Sequence, residues 1–215
     1  MARLPRLRRG GSPVVTVSAE PDETEFEAAA AALRDGDLVV YPTETVYGLG
    51  AVATDAAAVE RVFEAKGRAR DKPVSMAVPD VDAALEYTRP TEREERFMRE
   101  FLPGPVTVVV ERREAVPDVL TAGGSRVGVR VPDAPVALAL LERVAPLTAT
   151  SANVSGNPSA TTVAELDAIR AEAAVVLDAG ETPGGTGSTV VDVSAGTIHR
   201  RGADADAVEA WLAEH

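Results

Sequence analysis

The chain contains no cysteine, only two histidines and only two lysines in 215 residues. Without cysteine there is no disulfide, no thiolate nucleophile and no cysteine-held zinc or iron–sulfur site. His199 and His215 are too few for a multi-histidine metal site. A Ser–His–Asp triad would have to use one of them, and the second is the last residue. Aromatic residues make up 4%, which leaves few surfaces for stacking nucleic-acid bases. No apolar run reaches the roughly 18–20 residues needed to cross a bilayer, so no membrane role is expected and the chain is read as cytoplasmic. Arg3, Arg6, Arg8 and Arg9 begin it as a signal peptide would begin, but Gly10-Gly11-Ser12-Pro13 follows where an apolar segment belongs. Residues 1–13 are therefore read as a flexible arm, and 14–215 as a single domain.

Acid is abundant. Thirty-four Asp and Glu face 22 Lys and Arg, a net charge of −12, and with four arginines in the first ten residues the other 205 sum to −16. Such a body lacks the basic stripe of a nucleic-acid binder, and near-absence of lysine on an acidic surface suits solubility at high salt. A hydrophobic content of 45% over this length supports a folded core.

Strand-like and helix-like patterns alternate. β-Branched or apolar runs predict strands at Val14–Val17, Leu38–Tyr41, Val74–Val78, Val106–Glu111, Arg126–Val131, Leu147–Ala149, Val175–Leu177, Thr189–Val193 and Thr197–Arg200. Asp22 with Glu25 reads as a capping box opening a helix to Arg34, and Asp55 as the cap of a second through Ala65. Further helices are predicted at Asp80–Glu86, Thr91–Leu102, Pro135–Arg143, Val163–Glu172 and Ala205–Ala213. This alternation indicates an α/β fold with a twisted, mixed β-sheet and flanking helices.

The segments between these elements carry the chemistry. In Pro42-Thr43-Glu44-Thr45-Val46-Tyr47-Gly48-Leu49-Gly50, the Thr-Glu-Thr turn offers hydroxyls and N–H groups to a small polar ligand, or is an ordinary polar turn. Its glycines continue into a G-x-G-x-x-A string, yet six residues separate them from the strand, which excludes a Rossmann site. Lys66-Gly67-Arg68-Ala69-Arg70-Asp71-Lys72 gathers both lysines and two arginines in seven residues, an anion site or a solvated basic loop. The run from Gly180 to Thr189 has P-loop length but no lysine, leaving a lid or a plain glycine-rich connection. Arg130, at a strand end before Pro132, is placed to clamp a carboxylate or to make a surface ion pair.

Together with Pro103-Gly104-Pro105-Val106-Thr107, Val129-Arg130-Val131-Pro132, Thr150-Ser151-Ala152-Asn153-Val154-Ser155-Gly156 and Ser188-Thr189-Val190-Val191-Asp192, these segments resemble, in order, the YrdC-like threonylcarbamoyl-AMP synthases. The resemblance runs from about Asp35 to Gly202 and is to the short, single-domain form. It implies a concave site in which L-threonine, bicarbonate (or CO2) and ATP yield threonylcarbamoyl-AMP and pyrophosphate. Mg²⁺ would accompany ATP, and the product would pass to the tRNA threonylcarbamoyl-transfer machinery. By the same resemblance Thr45, Arg130, Ser151 and Ser188 would take threonine, and Arg68, Lys72, Asn153, Thr161 and Arg200 ATP, with Arg126 a further ATP candidate. Lys66 and Arg68 would be catalytic, beside the phosphates. Where family members often carry a histidine for threonine this chain has Ala77. The other function weighed is a YciO-like RNA-binding or ribosome-assembly factor of the same fold, for which the arginines of the arm would offer a weak tRNA contact.

Overall fold

The computed structural model describes residues 15–16, 21–166 and 168–215; the expected arm over residues 1–13 lies outside them. The strands are β1 (Val15–Thr16), β2 (Leu38–Tyr41), β3 (Gly48–Gly50), β4 (Ser75–Ala77), β5 (Val106–Glu111), β6 (Arg126–Arg130), β7 (Leu147–Ala149), β8 (Ala173–Val176), β9 (Thr189–Asp192) and β10 (Thr197–Arg200). The helices are α1 (Glu23–Arg34), α2 (Ala56–Lys66), α3 (Val81–Tyr87), α4 (Glu92–Phe101), α5 (Asp118–Thr121), α6 (Pro135–Arg143), α7 (Ile169–Glu172) and α8 (Ala205–Glu214). The predicted α/β class is observed, with two mixed sheets: β1-β8-β2-β3 and β10-β9-β5-β6-β4-β7. A seam joins them. Leu49 N–H donates to Thr150 O and Thr148 N–H to Ala51 O, both at 2.8 Å, so β3 runs on into β7.

The smaller sheet is covered on both faces, which is why β2 reads as an unbroken apolar run. Its residues alternate between two cores: Val39 and Tyr41 pack with Phe26, Leu33 and Leu140, and Leu38 and Val40 with Val62, Leu49 and Ile169. In the larger sheet β5 and β6 bury one face in the core. Val106, Val108, Val110, Val127 and Val129 pack against Phe97 of α4 and Trp211 of α8, each side chain worth roughly 1.5–3 kcal/mol on burial. The alternate residues Thr107, Val109, Arg126, Gly128 and Arg130 face the other way and line a cavity. A period of two in the sequence thus separates the core face from the site face.

Both expected N-caps are present: Asp22 and Glu25 form the reciprocal capping box of α1, and Asp55 accepts from the N–H groups of Ala57 and Ala58 in α2. Two expectations need correction. The helix expected over Val163–Glu172 is a 3-10 turn at Val163–Glu165 followed by the separate, short α7; the Glu165 carboxylate folds back on the Thr161 and Thr162 N–H groups and so closes a turn of its own. The Gly48-Leu49-Gly50 stretch, read as part of a loop, is strand β3. Its two glycines pair with Tyr41 and Val39 of β2 while the Tyr41 ring lies over them, so close that a Cβ at either would stand 3.0–3.1 Å from it.

Candidate active site

The cavity has a volume of about 460 Å³ and lies on the open face of the six-stranded sheet. Its floor is made of small residues, Ser75 and Ala77 on β4, Thr107 on β5 and Gly128 on β6. Gly128 is required by close packing. A Cβ there would meet Ser75 Oγ at 2.3 Å and Thr107 Cγ2 at 2.9 Å. The Thr43–Val46 turn after β2 walls one side, Thr150 and Ser151 after β7 another, and Ser188, His199 and Arg200 close the β9–β10 end. A register shift between Ile198 and Arg200 bulges β10, so His199 and Arg200 both reach the cavity.

Arg130 stands at the Thr-Glu-Thr turn. Its Nη2 donates to Thr45 Oγ1 at 2.8 Å and lies 2.9 Å from Glu44 Oε2. Thr43 Oγ1 holds the turn itself, donating to Val46 O at 2.7 Å. The arginine at a strand end, read either as a carboxylate clamp or as a surface pair, is thus a part-buried one, its side chain 11% exposed, and its Nε has no partner among the described residues. At the other end Arg200 donates through Nε and Nη2 to Ser188 O, at 3.0 and 2.8 Å, and Ser188 Oγ sits 2.8 Å from Thr107 Oγ1. The third guanidinium is Arg68, whose Nε and Nη2 donate to Lys72 O and Pro73 O. Burial, and then the charges of Arg130 and Arg68, lower the Arg200 pKa. The three cations therefore act on one space, as a polyanion's receptor must.

Lys66 is elsewhere. It ends α2, and Gly67, at φ +56° in the left-handed region, turns the chain so that Arg68 goes to the cavity while Lys66 goes inward. The ammonium donates to Ser151 O at 2.5 Å and Asn153 O at 2.7 Å, and Ser155 N–H returns a bond to Lys66 O at 2.8 Å. Burial, with a smaller push from Arg68, brings its pKa down from 10.5 to about 8. The lysine thus ties α2 to the Ser151–Asn153 turn, whose Ser151 hydroxyl also bonds the Asn153 side chain.

Of the residues singled out in the sequence, Thr45, Arg68, Arg126, Arg130, Ser151, Ser188 and Arg200 line the cavity, and Lys66, Lys72, Asn153 and Thr161 do not. Lys72 is exposed on the loop beyond Arg68. Asn153 is turned onto its own loop, donating to Val154 O and Asn157 O. Thr161 O accepts from Thr182 N–H, one of the stitches, with Gly185 N–H to Thr45 O, that fasten the glycine-rich run over the Thr45 end. Arg126 reaches the cavity wall with Nη2 already committed to Glu94, Asp192 and Val109 O. Residues not singled out are Ser75, Thr107 and His199 in the lining and Glu44 behind it. Strand alternation with Gly128 could have pointed to the first two; the β10 bulge that brings in His199 leaves no mark in the sequence.

Residues 31–202 match the Sua5/yciO/yrdC family model, described as "Telomere recombination". The threonylcarbamoyl-AMP synthase of Pyrococcus abyssi is 39% identical over 184 residues, covering 84% of this chain and 54% of that protein. The crystal structure of P. abyssi Sua5 complexed with L-threonine superposes with a TM-score of 0.82 at 37% identity, over 89% of this chain and 58% of that one. The chain therefore spans about half the length of these relatives. The E. coli YciO structure matches over 90% of this chain and 97% of that one with a TM-score of 0.79, and its 24% identity carries the fold alone.

Proposed function

Because the chain belongs to the Sua5/yciO/yrdC family, we propose that it is an L-threonylcarbamoyladenylate synthase: a nucleotidyltransferase that makes threonylcarbamoyl-AMP and pyrophosphate from L-threonine, bicarbonate or CO2, and ATP. The observation that carries the reading is the cavity's division of labour. One part-buried arginine, Arg130, sits among the hydroxyls of Thr43 and Thr45, and two more, Arg68 and Arg200, face the same space. Arg130, Thr45, Ser151 and Ser188 are proposed for threonine, and Arg68 and Arg200 for the triphosphate. Threonine's amine adds to CO2 with loss of a proton, and a carbamate oxygen then attacks the α-phosphorus of ATP, displacing pyrophosphate. No covalent nucleophile is needed. The protein's part is to hold two substrates in line and offset their negative charge with fixed cations and hydroxyls, in a cavity that limits water. Lys66 is proposed to act by fixing the Ser151–Asn153 turn, and the glycine-rich run by covering the Thr45 end.

Mg²⁺ would ride on the phosphates of ATP and neutralise them. Among the described residues no group of three or more His, Cys, Asp or Glu side chains stands together to cage a metal, so the chain's own donors toward a nucleotide-borne ion are hydroxyls and carbonyls. The proposed product would be handed to the tRNA threonylcarbamoyl-transfer machinery, in the cytoplasm; no helix among the described residues is long and apolar enough to cross a membrane.

The test is pyrophosphate release from ATP, bicarbonate and the purified chain, with and without L-threonine. Threonine-dependent release, with threonylcarbamoyl-AMP recovered by mass spectrometry, is expected. Its absence across a salt series, beside tight RNA binding by residues 14–215, would replace the enzyme reading with the RNA-binding one.

A further inference from the structure

Glu44, between the two threonines that line the cavity wall, is an unusual carboxylate. Its side chain is 14% exposed and that of Arg130 11%, with Oε2 2.9 Å from Arg130 Nη2. Yet the contact is off the N–H directions. Among the described residues neither Glu44 oxygen accepts a hydrogen bond, and Arg130 Nε–H has no partner either. A buried Arg–carboxylate pair normally closes as a two-bond fork, because desolvated charges with open valences are costly. Here the opposite charges are held together by attraction while a donor edge on one and the lone pairs on the other remain free. Thr45 Oγ1, which takes the one good hydrogen bond from Arg130, lines the cavity. The carboxylate stands behind the cavity wall, its oxygens buried and Glu44 itself facing the neighbouring cleft of Pro105, Gly184 and Gly202, so it acts on the cavity through its charge: a cation in the wall with an anion close behind it is the electrostatic complement of a zwitterion.

We propose that Glu44 is the specificity-determining residue of the amino-acid end of the cavity: its charge makes the Arg130 end neutral and two-signed, so that it takes an α-ammonium carboxylate and turns away plain anions. The inference rests on the threonine reading above and deepens it. Arg130 alone would draw any anion, including the phosphates and bicarbonate that must go to other places in the same cavity. With Glu44 beside it, an anion gains from one partner and loses to the other. A zwitterion gains from both, its carboxylate from Arg130 in the wall and its ammonium from the charge of Glu44 behind it. Among the described residues Arg68 and Arg200 have no carboxylate bonded to their guanidiniums, whose hydrogen bonds go to carbonyls and the Ser188 hydroxyl, and they stay anion-selective.

The experiment is calorimetric binding of L-threonine and of 3-hydroxybutanoate, which is threonine without its amine, to the full chain and to Glu44→Gln and Glu44→Asp, with a non-hydrolysable ATP analogue present. In the wild type threonine is expected to bind much more tightly than the deaminated acid. In Glu44→Gln threonine should weaken by about tenfold or more, as loss of one charge-assisted contact implies, while 3-hydroxybutanoate tightens, so the preference collapses. Glu44→Asp keeps the charge and should keep the preference. If Glu44→Gln melts like the wild type and both ligands weaken equally, Glu44 merely props Arg130 and the proposal is overturned. If Glu44→Gln unfolds, Glu44→Asp decides: loss of the preference in that folded, charged variant overturns it. A wild-type chain that binds no amino acid overturns the threonine reading itself, a result distinct from either.

Discussion

The floor of the cavity depends on one missing methyl group, and Gly128→Ala restores it. The added Cβ would lie 2.3 Å from Ser75 Oγ, 2.9 Å from Thr107 Cγ2 and 3.0 Å from Ser75 Cβ. Ordinary contact would require about 3.4 Å or more, so two neighbours on different strands must retreat together. Neither has an easy exit. Ser75 is in β4, paired to β7 through Ala149, and Thr107 is hydrogen-bonded to Ser188. Overpacking of this kind costs about 1–3 kcal/mol. Replacing glycine in a strand returns about 0.5–1 kcal/mol. The net loss is therefore between about 0 and 2.5 kcal/mol, and at about 2–4 °C per kcal/mol for a chain of this size the melting temperature should fall by up to about 10 °C. The effect on turnover should be larger, because a shift of about 1 Å in the floor, in the Thr107–Ser188–Arg200 chain of contacts, is worth on the order of 10²-fold in rate. Leu33→Ala, in the α1 core and away from the cavity, is the comparison: it should lose about 2–5 kcal/mol yet keep its rate below its melting point. Thermal denaturation and threonine-dependent pyrophosphate release measure both quantities. If Gly128→Ala melts with the wild type and turns over at full rate, the floor is not close-packed and the geometric argument is refuted.

Two further predictions concern buried charge. Lys66→Met removes the donor that Ser151 O and Asn153 O share, leaving two carbonyls short at about 1–3 kcal/mol; turnover should fall more than the threonine and ATP KM values change, and kinetics with intact KM and kcat would sink the bracing role. The same lysine implies a pH trend: the unfolded chain holds its proton to 10.5 and the folded chain only to about 8. The unfolded state thus binds more protons between those values, and stability should rise from pH 8 toward 10.5 while turnover declines with the lost charge. Lys66→Met should abolish both trends, as melting curves and rates against pH would show. Glu94 is buried, and burial alone would raise its pKa, but bonds from Thr91, Arg126 and Ser194 outweigh that and hold it low. Its contribution is therefore present above the ordinary carboxylate range and lost as pH falls through its folded value. Glu94→Gln should lower the melting temperature at pH 7 and flatten the acid limb; an unchanged acid limb would refute the assignment.

How much of this was legible in the sequence follows from what kind of physics each feature uses. Features set by local chemistry were readable: the Asp22–Glu25 capping box, the Asp55 cap, and the alternation of Arg126, Val127, Gly128, Val129 and Arg130 that puts valines in the core and the rest on the site face. Features set by what lies across the fold were not. β3 carries two glycines and reads as a turn until the Tyr41 ring is laid over them. The break between Val163–Glu165 and α7 depends on a side chain folding back on Thr161. The basic segment shows the difference most clearly. Counting cations in an acidic chain points to a segment that sends one residue, Arg68, to the cavity, but it gives weight to the two lysines, which do not line it. One is on the surface, and the other spends its charge on two carbonyls. Three of the arginines that line the cavity, Arg68, Arg130 and Arg200, are separated by 62 and 70 positions in the chain and meet only because β6 and β10 lie in one sheet with the Arg68 loop at its side. Charge clustering along a sequence measures where a loop is basic. Charge clustering in space decides where an anion can be held, and it is carried here by one arginine at the end of β6, one at the end of β10 and one on the loop after α2.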